Sequence, residues 1–278
     1  MTQIFKLSLV INPLQNVILP TPSSKVIKYL ILSNQFLPSL KPLLISRDKY
    51  KPVFVSNLGV NGERIIDRGR GVKSDTPLKA FISFSGLNPS ILFSEADRGG
   101  NFKTPYGEFY LSVNNIEIVD VKGLEESIER SLKKNINITF KSPALLSSKL
   151  LLPPSLKEKF KNVDVGLSTL PSVGLVAAHA YKMYCNVIGK REIESNAFKL
   201  GVMANALSRV IGYNLRPVTI EIGEDEKGNP RKTRGVVGWV EFDIPYVKLK
   251  RAVIKYLIIA SYLGIGRSRG IGLGEIEV

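Results

Sequence analysis

The order of segments in the second half of this 278-residue chain restricts its fold more than any other feature. "INITFKSPALL" reads as a strand, and "SVGLVAAHAYKMYCNVI" and "NAFKLGVMANALSRVIGY" read as helices. "VTIEI" and "GVVGWVEFDI" then form a hairpin around the tip "GEDEKGNPRKTR". The long apolar-faced helix "VKLKRAVIKYLIIASYL" and a last strand, "GEIEV", complete the series. Strand, helix, hairpin, helix, strand is the ferredoxin-like order.

The first half follows the same order more loosely. In "IFKLSLVI" the residues Phe5, Leu7, Leu9 and Ile11 share one face, with Lys6 and Ser8 on the other, which is a strand. Pro20 and Pro22 close it, and Ser23 or Ser24 caps the helix "SKVIKYLIL". "KPVFVSNLG", "LKAFISFSG" and "FKTPYGEFYLSVNNIEIVDV" supply further strands, and an apolar segment lies near residues 89–93. The polar stretch "GLEESIERSLKKN" separates the halves. The expected class is α+β: two tandem ferredoxin-like (RRM-like) domains, residues 1–122 and 123–278, the second ending in a C-terminal glycine-rich loop. The halves share no sequence repeat, so the duplication rests on element order.

Lys and Arg number 39 against 24 Asp and Glu, a net charge of +15. An excess of this size points to an extended anion, since each neutralised phosphate releases a counterion. Cys185 is the only cysteine, which excludes an intrachain disulfide and a cysteine-based zinc site. The opening residues lack a basic region followed by an apolar core, so no signal peptide is expected. "AVIKYLIIASYLGIG" carries Lys255 and is too short to span a bilayer, so no membrane partner and a cytoplasmic location are expected.

The tail "GIGRSRGIGLGEIEV" contains Gly264-Ile265-Gly266, five residues, then Gly272-Leu273-Gly274. It follows a helix, precedes a strand and lacks Gly-Lys-Ser/Thr, so it is not a Walker loop. A dinucleotide fold would place its glycines after the first strand. Glycines without Cβ atoms let backbone N–H groups approach phosphate oxygens, and arginines add forked charge-assisted bonds. Gly264, Gly266, Arg267, Ser268, Arg269, Gly272 and Gly274 are therefore the candidate phosphate contacts.

This tail resembles the C-terminal signature of the CRISPR-associated endoribonucleases that process precursor CRISPR RNA, members of the repeat-associated (RAMP) superfamily. "KYKPVFVSNL" is similar to that family's Lys-Pro-aromatic-x-Ser strand, placing Lys51 where the family often carries an active-site lysine. "LPTPSSKVIKYLIL" sits where the family's first helix follows its first strand. The resemblance covers nearly the whole chain. It implies two ferredoxin-like domains, CRISPR repeat RNA as partner, no metal and no cofactor. It also implies attack by the RNA's own 2′-hydroxyl, leaving a 2′,3′-cyclic phosphate and a 5′-hydroxyl.

Many members of that family use a histidine from the first domain. Here the single histidine, His179, lies in an apolar helix of the second half, where a packed structural role is expected. Lysines are the alternative. Lys25, Lys28, Tyr29 and Leu32 fall on one helical face, opposite Val26, Ile27, Leu30 and Ile31. Lys51 converges from the neighbouring strand. The expected catalytic set is Lys25, Lys28 and Lys51, positioning the 2′-hydroxyl and neutralising phosphorane charge rather than abstracting a proton, with Tyr29 in reserve.

In the hairpin, Arg231, Lys232 and Arg234 suit contact with an RNA stem, whose shape and phosphates are accessible. Glu224, Asp225 and Glu226 beside them have no metal-ligand spacing. Trp239 and Tyr213 are expected in the core. A non-catalytic RNA-binding subunit of an interference complex is the alternative reading, and a scaffold is disfavoured by the charge. A homodimer through the apolar helices around His179, and hand-over of RNA to an interference complex, stay open.

Overall fold

The computed structural model describes residues 2–48, 50–66, 69–96, 99–189, 194–224 and 227–278. The first half contains β1 (Gln3–Pro13), β2 (Val17–Ile18), α1 (Lys25–Leu32), α2 (Lys41–Ile45) and β3 (Val53–Val55). It continues with β4 (Gly59–Val60), β5 (Glu63–Arg64), β6 (Gly71–Val72), β7 (Leu78–Ser85), α3 (Pro89–Ala96), β8 (Gly100–Thr104) and β9 (Gly107–Asp120). The second half contains α4 (Glu125–Leu132), β10 (Ile136–Ala144), α5 (Pro154–Lys157), α6 (Val173–Val187) and α7 (Glu194–Ala206). The hairpin β11 (Arg209–Glu224) and β12 (Pro230–Asp243), α8 (Val247–Leu263) and β13 (Ile276–Glu277) follow.

The second sheet has the order β11-β12-β10-β13, with every paired neighbour antiparallel. Counted within that unit this is 2-3-1-4, the ferredoxin-like arrangement. The first sheet runs β5-β4-β7-β1-β9-β8 with β3 also on β7, so its central strands repeat the order and β8 adds an edge.

The alternation in β1 decides which face is buried. Phe5, Leu7, Leu9 and Ile11 pack against Val26, Ile27, Leu30 and Ile31 of α1 in one core. Ile4 points the other way and joins the second core, beside Val121, Leu124 and Ile128. The strand thus holds the two halves together through its opposite faces.

Two local expectations are revised. "SRVIGY" is not the end of a helix: α7 stops at Ala206 and β11 begins at Arg209, where β-branched Val210 and Ile211 favour extended backbone. Ser24 occupies the N-cap of α1 without capping through its side chain. Ser23 Oγ instead donates to the Ile65 carbonyl and accepts from the Leu58 N–H, fastening the helix start to the following strands. Among the described residues, no helix is long and apolar enough to cross a membrane.

Candidate functional site

The site is assembled where α1, the segment before β3 and the C-terminal tail meet. Lys25, Lys28 and Tyr29 lie half-buried along one edge of α1, as its periodicity predicts, while the opposite edge is sealed in the core. Ser23, Ser24 and Asn57 are fully buried at the helix start. Ser24 N–H donates to Asn57 Oδ1 at 3.3 Å, and Asn57 Nδ2 donates to the Gly272 carbonyl at 2.7 Å. One amide side chain therefore fixes α1 relative to the tail.

Lys51 enters from the other side. Its Nζ donates to the carbonyls of Leu44, at 2.5 Å, and Ser46, at 3.3 Å, where α2 ends. Burial lowers the Lys51 pKa from its ordinary value, and the nearby charges of Lys28 and Arg269 lower it further, against an opposing pull from Asp48. Burial also lowers the pKa of Lys28. Lys28 and Lys51 thus share one electrostatic environment, and Lys25 precedes Lys28 by one helical turn. Tyr29 neighbours Tyr106, whose phenol is raised first by burial and then by Tyr29.

The glycine-rich tail is turned inward, which revises the expected phosphate cradle. Gly264, Gly266, Gly272 and Gly274 are all buried and all have φ between +72° and +81°. The Ile265 N–H bonds the Gly274 carbonyl, that of Arg267 the Leu145 carbonyl, and that of Gly274 the Pro143 carbonyl. A Cβ at Gly264 would lie 2.6 Å from the Phe54 ring, and one at Gly272 2.7 Å from the Asn57 amide. The close approach that glycine permits here is of protein to protein.

Arg269 is likewise internal, 3% exposed, and not an outward phosphate contact. Its guanidinium donates to the carbonyls of Leu263 and Lys51 and touches Met183 Sδ, and burial lowers its pKa to about 10. Arg267, by contrast, is exposed, and Ser268 sits half-buried beside it. Arg267, Ser268 and Lys51 line a cleft of about 470 Å³ together with Ser46, Arg47, Asp48 and Arg269.

Arg231, Lys232 and Arg234 of the hairpin do not line this cleft. They are exposed in β12 itself, because the strands extend to Glu224 and from Pro230 and take up most of the expected tip. β10 reaches only as far as the Ala144–Val236 pair, whereas β11 and β12 stay paired to Glu224–Pro230, so the arm extends past β10, with Ile220 packed on Leu145 and Leu273. Lys232 lies directly across from Glu221. The side chain of Glu224, with Asp225 and Glu226, lies outside the described residues. Tyr213 and Trp239 are not in the core: they are 60% and 38% exposed, because nothing among the described residues covers that part of the hairpin.

His179 is 2% exposed, and its Nδ1 lies 3.3 Å from the Tyr50 hydroxyl. Burial is the main reason its pKa falls to about 3, so the ring is neutral. Its helix, α6, is enclosed in the second core and packed by α7 and α8. Among the described residues, none of the large hydrophobics of α6 is exposed, whereas Val202 and Met203 of α7 are. Sequence reasoning missed Tyr50 and Asn57, although both lie inside the "KYKPVFVSNL" match; their contacts with His179 and Gly272 span 129 and 215 positions.

The description "CRISPR-associated endoribonuclease Cas6" matches residues 138–276, and "Cas6 N-terminal domain" matches residues 5–119. The chain belongs to the Cas6 endoribonuclease family. It is 56% identical to CRISPR-associated endoribonuclease Cas6 2 of Saccharolobus solfataricus over 281 residues, covering 100% of this chain and 96% of that one. It is also 56% identical to Cas6 1 of the same organism over 285 residues, covering 100% of this chain and 97% of that one. Among solved structures, a Cas6 product complex aligns over 98% of each chain with a TM-score of 0.60 at 14% identity, a likeness of fold. Cas6 membership makes this chain a CRISPR-associated endoribonuclease, and the solved Cas6 structure shares its fold of two ferredoxin-like units.

Proposed function

We propose that this protein cuts precursor CRISPR RNA within each repeat, without a metal ion, using lysines where many family members use histidine. The observation that carries this reading is that Lys51 shares a cleft with exposed Arg267 and lies within electrostatic reach of Lys28, both lysines having a lowered pKa. The 2′-oxygen attacks the adjacent phosphorus and the P–O5′ bond breaks, giving a 2′,3′-cyclic phosphate and a 5′-hydroxyl. The ammonium groups of Lys28 and Lys51 neutralise the charge that grows on the phosphorane, and Lys25 holds the approaching strand. The burial of His179 and its pKa lowered to about 3 support the cations over the histidine in this reading. The basic hairpin supplies a contact for the repeat's stem through Arg231, Lys232 and Arg234.

The test is an end-labelled RNA containing two repeats, incubated with the protein in EDTA, beside a Lys28→Ala variant. One defined cut per repeat with a cyclic-phosphate end, slowed by at least about a hundredfold in the variant, is the expected result. Tight binding without cleavage by the parent protein would make it an RNA-binding subunit instead.

A further inference from the structure

The connection between β10 and α6 is long and folds into a wall of its own. It comprises a 3₁₀ turn (Ser148–Leu151) and α5, and a bridge between Leu146 and Ser168 closes it. The wall is braced internally: Lys149 Nζ donates to the Lys161 carbonyl at 2.7 Å, and Lys161 pairs with Glu158 at 3.1 Å. Between it and α6 runs a second cleft, of about 530 Å³. Lys149, Lys157, Lys161, Lys182 and Arg267 line this cleft, with Glu158 the one carboxylate among its lining residues. Tyr50 and His179 also line it, and the imidazole is uncharged.

Arg267 belongs to this cleft and to the one containing Lys51, and it stands exposed on the ridge between them. A polyanion whose scissile phosphate lies at Lys51 passes over Arg267 into the lysine-lined cleft with no acidic barrier on the shared ridge. The lysines are spread over α5, the turn after it, the 3₁₀ turn and α6. A row of cations on different elements suits a string of phosphates better than one compact anion.

We propose that this second cleft is a subsite for the single-stranded RNA that continues past the cut, gripped through its phosphates by Lys157, Lys161, Lys182 and Arg267. It rests on the reading of the Lys51 cleft as the cleavage site. Because the lysines touch phosphates remote from the reacting bond, the subsite contributes binding shared by ground and transition state.

The test uses the full-length protein, a Lys157→Gln/Lys182→Gln variant, a Lys157→Arg/Lys182→Arg variant, and a Lys133→Gln/Lys134→Gln control of equal charge loss on lysines between the halves. The probe is repeat RNA with a 2′-deoxy nucleotide at the scissile position, intact or shortened on either side of the cut. The expected result is roughly tenfold weaker binding of intact RNA by the glutamine variant. Its slope of log affinity against log salt should flatten by about 0.7 for each phosphate no longer neutralised. The arginine variant and the control should bind like the parent. The single-turnover rate on cleavable RNA at saturation should stay within about twofold. The defect should vanish for RNA shortened on one side, and whether that side is upstream or downstream gives the strand's direction.

Unchanged affinity and salt slope in the glutamine variant would overturn the subsite. So would an equal defect in the control, or a defect indifferent to truncation on both sides. If the parent binds repeat RNA but never cuts it, while the glutamine variant still binds more weakly in a truncation-dependent way, the cleavage reading falls and the subsite stands.

Discussion

The buried guanidinium of Arg269 donates to the backbone carbonyl of Lys51 at 3.0 Å, joining residues 218 positions apart. The fork also reaches the Leu263 carbonyl at 3.1 Å, so the end of α8 and the lysine segment are held by one side chain. Arg269→Ala strands both carbonyls and should cost about 2–3 kcal/mol of stability, read from urea denaturation. Arg269→Lys keeps a charge but not the fork and should recover only part of it. If Arg269→Ala melts like the parent, the tail does not position Lys51.

Lys28 and Lys51 give the reaction a pH signature. Both pKa values lie below the ordinary 10.5, chiefly through burial. With the protonated amines as the working forms, kcat/KM declines as pH rises through the lowered values, before 10.5 is reached. Lys51→Arg keeps its charge to higher pH, so in that variant the decline should move upward. A kcat/KM that instead climbs through that alkaline range would identify a lysine as the proton acceptor.

His179 makes folding pH-dependent in acid. In the folded protein its pKa is about 3, against about 6.5 for an unperturbed histidine. Between those values the unfolded chain takes up a proton that the native ring refuses, so stability falls as pH drops through that window. From about pH 7 to about pH 5 the loss should be about 2 kcal/mol. His179→Leu should lose that much less stability over the same interval in paired urea titrations. Since His179 is the chain's only histidine, the difference has one assignment.

The glycines of one loop separate two kinds of constraint. Gly264→Ala and Gly272→Ala combine positive φ with methyl clashes against Phe54 and Asn57, and each should cost about 2–4 kcal/mol. At Gly270 φ is not positive and a Cβ would meet the Leu44 side chain at 3.2 Å. Gly270→Ala should cost under about 1 kcal/mol. Thermal melts of the three variants check the order; equal losses would mean that the loop is constrained by packing alone.

The period-2 and period-3.6 patterns were enough to locate β1, α1 and α8, because each buries one face and hydrophobic burial writes that face into the residues. The same patterns yielded the ferredoxin-like order twice and put Lys25 and Lys28 on one edge of α1. They failed at Arg209–Gly212, where a short apolar run suits either a helix end or a strand and only pairing with β12 decides. Tyr213 and Trp239 were misplaced for a related reason: apolar character does not reveal whether a second layer covers a strand.

The sequence by itself determined the two sheets, the excess of cations that any partner must match, and the glycine spacing of the tail, since these follow from local sterics and composition. Only the tertiary structure decided which way the tail faces. Two arginines two residues apart end in opposite environments, Arg267 in solvent and Arg269 among carbonyls of α8 and the Lys51 segment. The reason is physical: which guanidinium is desolvated depends on acceptors brought from distant parts of the chain, and no local pattern records them.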